Sequence, residues 1–259
     1  MVIVDPYDVY NDILSERTAS LSQYIVPIYA PKPKNKRPVC VGTGTLITRN
    51  NKNFIVTAKH VIDQNTKSGL SLYVPGSNNL EPIVAQAHIA EDLYDIGIIE
   101  VSETTTRNLL DKEFNFYNYV PRAGKFSTDK FMCAYLGFPT SQNEGYNGKI
   151  RPKPYSYRGF TLSDEETINV TATDLQYVMP FEVNQIRDVA GNQKTFPAHH
   201  GLSGGGLWTI GFVKVESMLG DDFEPTLVGF LIHGRGQGDT TYNVFTSTVV
   251  LEELLKKTT

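Results

Sequence analysis

Only two cysteines, Cys40 and Cys133, occur in this chain of 259 residues. Two cannot build a disulfide framework, and they lack the spacing of metal ligands. Both lie in apolar, strand-like sequence and read as free buried thiols. No apolar run approaches the roughly 20 residues needed to cross a bilayer. The start, Met1-Val2-Ile3-Val4-Asp5-Pro6, lacks the basic region, apolar run and small-residue cleavage site of a secretory signal. Positive charge is not in excess either. Lys and Arg number 24 against 28 Asp and Glu, a formal net charge of -4, which gives no ground for nucleic acid or an anionic membrane as a partner. Neither low-complexity segments nor short repeats appear. These absences together lead us to expect a cytoplasmic protein.

What is present favours strands and turns: 21 Gly, 14 Pro and 11% aromatic residues. A chain of this length can bury roughly three quarters of its unfolded surface, as one large β domain or as two smaller units sharing an interface. Short apolar segments between turn residues predict strands at 24–29, 39–47, 54–57, 70–74, 83–89 and 96–101. After a polar, weakly periodic crossing at 102–125, more are predicted at 131–138, 157–161, 167–172, 178–182, 207–210, 227–233 and 242–247. Residues 7–17 predict a short helix with Tyr7, Tyr10, Ile13 and Leu14 near one face. A last helix should start at a Ser247 or Thr248 cap and bury Val250, Leu251, Leu254 and Leu255. The basic, proline-punctuated stretch 30–38 reads as a solvated hairpin tip, and 140–156 as a long polar loop.

Three motifs carry chemistry. Gly201-Leu202-Ser203-Gly204-Gly205-Gly206 sets a serine among glycines, which admit positive φ and close backbone approach. Upstream stand Thr57-Ala58-Lys59-His60 and then Tyr94-Asp95-Ile96-Gly97-Ile98-Ile99. A serine hydroxyl is a poor nucleophile near neutral pH without a base. A histidine can take its proton and return it to a leaving group, and a carboxylate behind the imidazole fixes its tautomer and stabilises its cation. Base, carboxylate and nucleophile in that order suggest a hydrolase.

With Gly42-Thr43-Gly44-Thr45-Leu46-Ile47 before the histidine, Val228-Gly229-Phe230-Leu231 after the serine, and a C-terminal helix, the chain resembles the trypsin-like, chymotrypsin-fold serine endopeptidases. It is closest in motif to their bacterial non-zymogen members. The resemblance covers residues 24–257. It implies an all-β fold of two antiparallel six-stranded β-barrels with a C-terminal α-helix. The implied layout is an N-terminal extension at 1–23, barrels at 24–120 and 121–248, and the helix at 249–259. It implies His60, Asp95 and Ser203 as a catalytic triad in the cleft between the barrels. The amides of Gly201 and Ser203 would form the oxyanion hole, the substrate would be a protein or peptide, and no cofactor or metal would be needed. By the same alignment the substrate pocket would be lined by His200, Leu231, His233, Gly234, Asn243 and residues near 195–200.

Departures qualify the resemblance. Leu202 stands where digestive members carry the aspartate that pairs with a freshly cut N-terminus, and Pro27 breaks the pattern after Ile25-Val26, so activation of that kind is not expected. Ile232 stands where a serine usually supports the carboxylate. No acidic residue falls at the pocket floor, so cutting after Lys or Arg is not expected. A neutral or apolar preference is the default, with recognition of an acidic side chain by His233 as the alternative. His199 and His200 should border the cleft; adjacent strand residues point apart, which disfavours a metal site there. His88 carries a weaker claim. Two rival readings remain at this stage: a protease-like fold that binds peptides or a partner without cutting, and an enzyme inactive until an activating partner remodels loops 140–156 and 184–200.

Overall fold

A computed structural model describes residues 6–31, 38–68, 71–76, 79–128, 131–143, 150–163, 173–181, 186–188, 200–212, 223–237 and 240–258. Its strands form two sheets. The first contains β1 (Ile25–Pro31), β2 (Pro38–Arg49), β3 (Lys52–Ala58), β4 (Tyr73–Gly76), β5 (Asn79–Pro82), β6 (Ala85–Glu91), β7 (Ile96–Val101) and the short β8 (Tyr117–Asn118). The second contains β9 (Phe131–Gly137), β10 (Tyr155–Gly159), β11 (Gln176–Phe181), β12 (Ile186–Asp188), β13 (Gly206–Phe212), β14 (Thr226–Gln237) and β15 (Thr240–Ser247). The helices among the described residues are α1 (Pro6–Leu21), α2 (Lys59–Ser68), α3 (Glu103–Leu110) and α4 (Thr248–Lys256).

The protein is therefore predominantly β, with antiparallel sheets and a C-terminal helix. Only the β2–β8 contact is parallel among the described strands. The first sheet runs β5-β4-β1-β2-β3-β7-β6, with β8 beside β2; the second runs β11-β15-β14-β13-β9-β10-β12. Among the described residues the strand counts are eight and seven, against six expected in each half, and the described pairings trace open paths. The extra strands are short: β5, β8 and β12 have four, two and three residues, too few for a sequence period to register.

Most strands are buried on both faces, which explains their continuous apolar runs. Side chains alternate between two cores. On β1, β3 and β7, Val26, Ile28, Ile55, Ile99 and Val101 fill a cluster inside the first sheet. Their neighbours Ile25, Tyr29, Phe54, Val56, Ile96 and Ile98 enter a central cluster shared with Ala134, Leu136, Trp208, Ile210 and Phe230 of the second sheet. Cys133, Tyr135, Leu207, Val228 and Leu231 face a third cluster inside the second sheet. This arrangement makes the central cluster the interface between the halves.

The two terminal helices seal that interface. Leu14 and Leu21 of α1 and Val250, Leu251, Leu254 and Leu255 of α4 all join the central cluster. The Ser247 side chain caps α4 by accepting from Val249 N at 3.3 Å, as its sequence indicated. The α1 helix runs past the expected 17 to Leu21 because its inner stripe, Leu14, Thr18 and Leu21, continues at helical spacing. Arg17 ties it to the second sheet by donating to Ile210 O at 3.0 Å. Between β2 and β3, Asn50 and Asn51 have φ of 49° and 58°, the two left-handed positions of a tight primed hairpin turn.

Other expectations shift. The crossing at 102–125 contains α3, whose start is capped by Ser102 accepting from Thr105 N at 3.2 Å, and β8. The 140–156 segment holds a 3-10 turn, Thr140–Gln142, and the start of β10. The strand expected at 167–172, the basic tip at 32–37 and residues 189–199, with His199, lie outside the described residues. Cys40 and Cys133 are free and buried. No described helix is long and apolar enough to cross a membrane.

Candidate active site

His60 is the second residue of α2, which starts where β3 ends. The first amides of a helix have no partner inside it. Here Asp95, in the turn before β7, supplies both: its carbonyl accepts from Lys59 N at 2.9 Å, and its Oδ1 accepts from His60 N at 2.9 Å. Its other oxygen, Oδ2, lies 2.7 Å from His60 Nδ1. A carboxylate accepts only, so Nδ1 is the donor in this bond, and in the neutral imidazole Nε2 is left as the acceptor. One carboxylate thus caps a helix, orients a ring and sets its tautomer. The helix N-terminus in turn favours the negative charge.

The price of this placement is an unusual backbone. Asp95 has φ of 48°, a left-handed conformation that short polar side chains tolerate better than others. The turn is closed by Asp95 N donating to Asp92 O at 3.3 Å and is braced from its surroundings. Thr246 of β15 donates to Tyr94 O at 2.6 Å, a hand-hold from the second sheet. Lys59 pairs with Asp63 at 2.6 Å and with Asp92 at 3.0 Å, and these carboxylates keep its ammonium above its ordinary pKa. The His60 and Asp95 side chains remain 45% and 27% exposed, so the imidazole can meet a ligand.

Ser203 sits in the tight turn Leu202–Gly205, closed by Gly205 N donating to Leu202 O at 3.0 Å. Gly204 takes φ of +94°, and a Cβ there would run into the Thr43 carbonyl and the Thr57 hydroxyl. Gly201 takes φ of +91°, and a Cβ there would lie 2.5 Å from Phe138 O. No other residue type fits either position.

Every carbonyl from residue 200 to 205 has a named donor. Thr140 N donates to His200 O at 2.7 Å, Thr43 N to Ser203 O at 2.8 Å and Leu231 N to Gly205 O at 2.8 Å. The Thr43 hydroxyl donates to Gly201 O at 2.7 Å, and the Thr45 hydroxyl to Gly204 O at 2.9 Å. In a trans peptide the N–H points opposite to the C=O. Pinning His200 O and Leu202 O therefore turns the amides of Gly201 and Ser203 the other way, and no described residue accepts from either.

A cleft of about 440 Å³ is lined by His60, Ser203, Gly201, His200, His233 and Gly234, with Val39, Cys40, Val41, Thr140 and Ile232 completing its walls. It brings His60 and Ser203 to one space, with Asp95 behind the imidazole. Of the expected pocket residues, His200, His233 and Gly234 reach it. Leu231 and Asn243 are not among its lining residues. Leu231 is buried in the third cluster, its carbonyl accepting from Gly204 N. Asn243 is fully buried and donates to Tyr135 OH at 3.0 Å. Ile232 is the extra residue of a β-bulge between Leu231 and His233, which re-aims this strand at the cleft. Ile25 and Val26 are paired with Thr45 and Gly44 inside the first sheet. His88 lies on β6, paired with Ile99.

No local sequence signal marks Thr43, Thr45, Thr57, Thr140 and Thr246 as site residues, yet their hydroxyls all brace these loops. Cys40 is a buried thiol, as expected: burial pushes its pKa up to about 12, so it stays protonated although it borders the cleft. No group of three or more His, Cys, Asp and Glu among the described residues is placed to hold a metal ion. The chain matches no family model and no curated protein with which it was compared.

Proposed function

We propose that this protein is a serine endopeptidase of the trypsin-like kind, its two sheets being the two β-barrels of that fold. The observation that carries the reading is one carboxylate, Asp95, bonded to both the backbone and Nδ1 of His60 while Ser203 lines the same cleft as that imidazole. In this reading Ser203 Oγ attacks the substrate carbonyl as His60 Nε2 takes its proton. The resulting oxyanion accepts from the amides of Gly201 and Ser203. His60 then gives the proton to the departing amine, leaving an acyl-enzyme, and a water activated by the same base releases the acid. Asp95 stays ionised throughout and stabilises the imidazolium.

The bracing of residues 200–205 supports a site formed without an activating partner. The presence of all three triad residue types supports hydrolysis over peptide binding alone. The test is hydrolysis of dye-labelled casein: the protein should release peptides, and Ser203→Ala should lose at least a thousandfold in rate while melting at nearly the same temperature. Equal hydrolysis by both proteins would refute the assignment.

A further inference from the structure

Resting on that reading, we infer that Thr43 is a positioning residue for the reaction: its buried hydroxyl holds the nucleophile turn in the orientation that points two amides into the cleft. Thr43 lies on β2, in the sheet that also carries His60 and Asp95, and is fully buried. Its hydroxyl donates to Gly201 O at 2.7 Å and accepts from Phe138 N at 2.9 Å. Its backbone N–H donates to Ser203 O. Its carbonyl accepts from the hydroxyl of Thr57 at 2.8 Å, three residues before His60 on the chain.

These bonds have a geometric consequence. The proposed oxyanion donors belong to the peptides 200–201 and 202–203. The peptide between them, 201–202, is the one whose carbonyl the Thr43 hydroxyl holds. With that middle peptide held from the opposite sheet, the two donor amides keep their directions relative to each other, while Thr140 N and Gly205 N hold the carbonyls of the donor peptides themselves. The same residue relays the position of Ser203, through Thr57, to the strand that delivers His60. Two bonds therefore register the nucleophile against its base. A backbone N–H can be supplied by any residue but proline, whereas the bond to Gly201 requires a hydroxyl.

The test compares Thr43→Ser with Thr43→Ala, two variants that both lack the methyl group and differ only in the hydroxyl, with Thr43→Val as a shape-preserving control. The probe is a fluorophosphonate, whose phosphoryl oxygen takes the oxyanion's place when Ser203 is labelled. Its limiting labelling rate and its concentration at half-saturation are measured separately, well below each variant's melting temperature. Thr43→Ser should label within about threefold of the parent. Thr43→Ala and Thr43→Val should fall on the order of 10- to 100-fold in the limiting rate, the scale of a weakened oxyanion donor, with half-saturation unchanged. Should the valine variant not fold, the serine and alanine pair still decides. Equal limiting rates for Ser and Ala would overturn the inference and leave the proposed function standing. A parent that labels no faster than its Ser203→Ala variant would overturn both.

Discussion

The base and the nucleophile are held in opposite ways. His60 and Asp95 are held chiefly by each other, through a helix start, one turn and one carboxylate, with the imidazole half open to solvent. The turn bearing Ser203 is held by non-local bonds to Thr43 and Thr45 of the first sheet, Thr140 at the start of a 3-10 turn and Leu231 of β14. The Thr43 hydroxyl reaches across 158 residues of sequence. This division suits the proposed chemistry. A base that exchanges protons needs access, whereas an anion-stabilising backbone must not reorganise as charge appears. It also predicts different sensitivities: changes at the glycines of the turn should break the fold, and changes at the pair should break the reaction while sparing the fold.

The largest expected effect is on the turn. Gly204→Ala puts a Cβ against the Thr43 carbonyl at a positive φ, an overlap that backbone on both sides cannot relieve. The loss should be about 4 kcal/mol or more, seen as a collapsed melting transition or insoluble protein. A folded, fully active Gly204→Ala would mean that the turn is far looser than described.

Next comes the pair. Asn tolerates the left-handed backbone of residue 95, so Asp95→Asn removes the charge with little strain. It should lower kcat by roughly 10³- to 10⁴-fold, the scale of the same change in a trypsin-type triad, while melting within a few degrees of the parent. A loss below tenfold would show that the carboxylate serves the helix start and not the base.

How much of this was legible follows the same division. The pair could be read because each residue is announced locally. A buried strand, β7, starts at Ile96 as expected and fixes Asp95 at its edge. The apolar run of β3 fixes His60 at its end. The cap at Ser247 and the stripe of α4 were likewise local, and both were found. The bracing threonines were not legible, since a Thr in a strand is ordinary β-branched material until its distant partner is known. The α2 helix was hidden because it begins directly after a strand and its capping group, Asp95, is remote in sequence. Three consecutive threonines masked α3, although Ser102 followed by Glu103 was a usable start signal. Asn243 is placed in the pocket by the resemblance alone, whereas its buried side chain is engaged with Tyr135; of the expected stretch 231–234 only Leu231 does not line the cleft.

The smallest expected effect contrasts the two nucleophiles of the cleft wall. With its pKa pushed to about 12 by burial, the Cys40 thiol should resist iodoacetamide at pH 8 in the native protein, and hydrolysis should be unaffected. Alkylation should appear only in denaturant. Rapid native alkylation with loss of activity would assign the sulfur a part in the site.

The central claim is that His60 activates one hydroxyl, that of Ser203. Its most direct measurement is mass mapping of the fluorophosphonate adduct on the native parent and on His60→Ala. A single adduct on Ser203 in the parent, and none in the variant over the same time, is the predicted result. An adduct on another residue, or labelling of Ser203 that does not depend on His60, would contradict it.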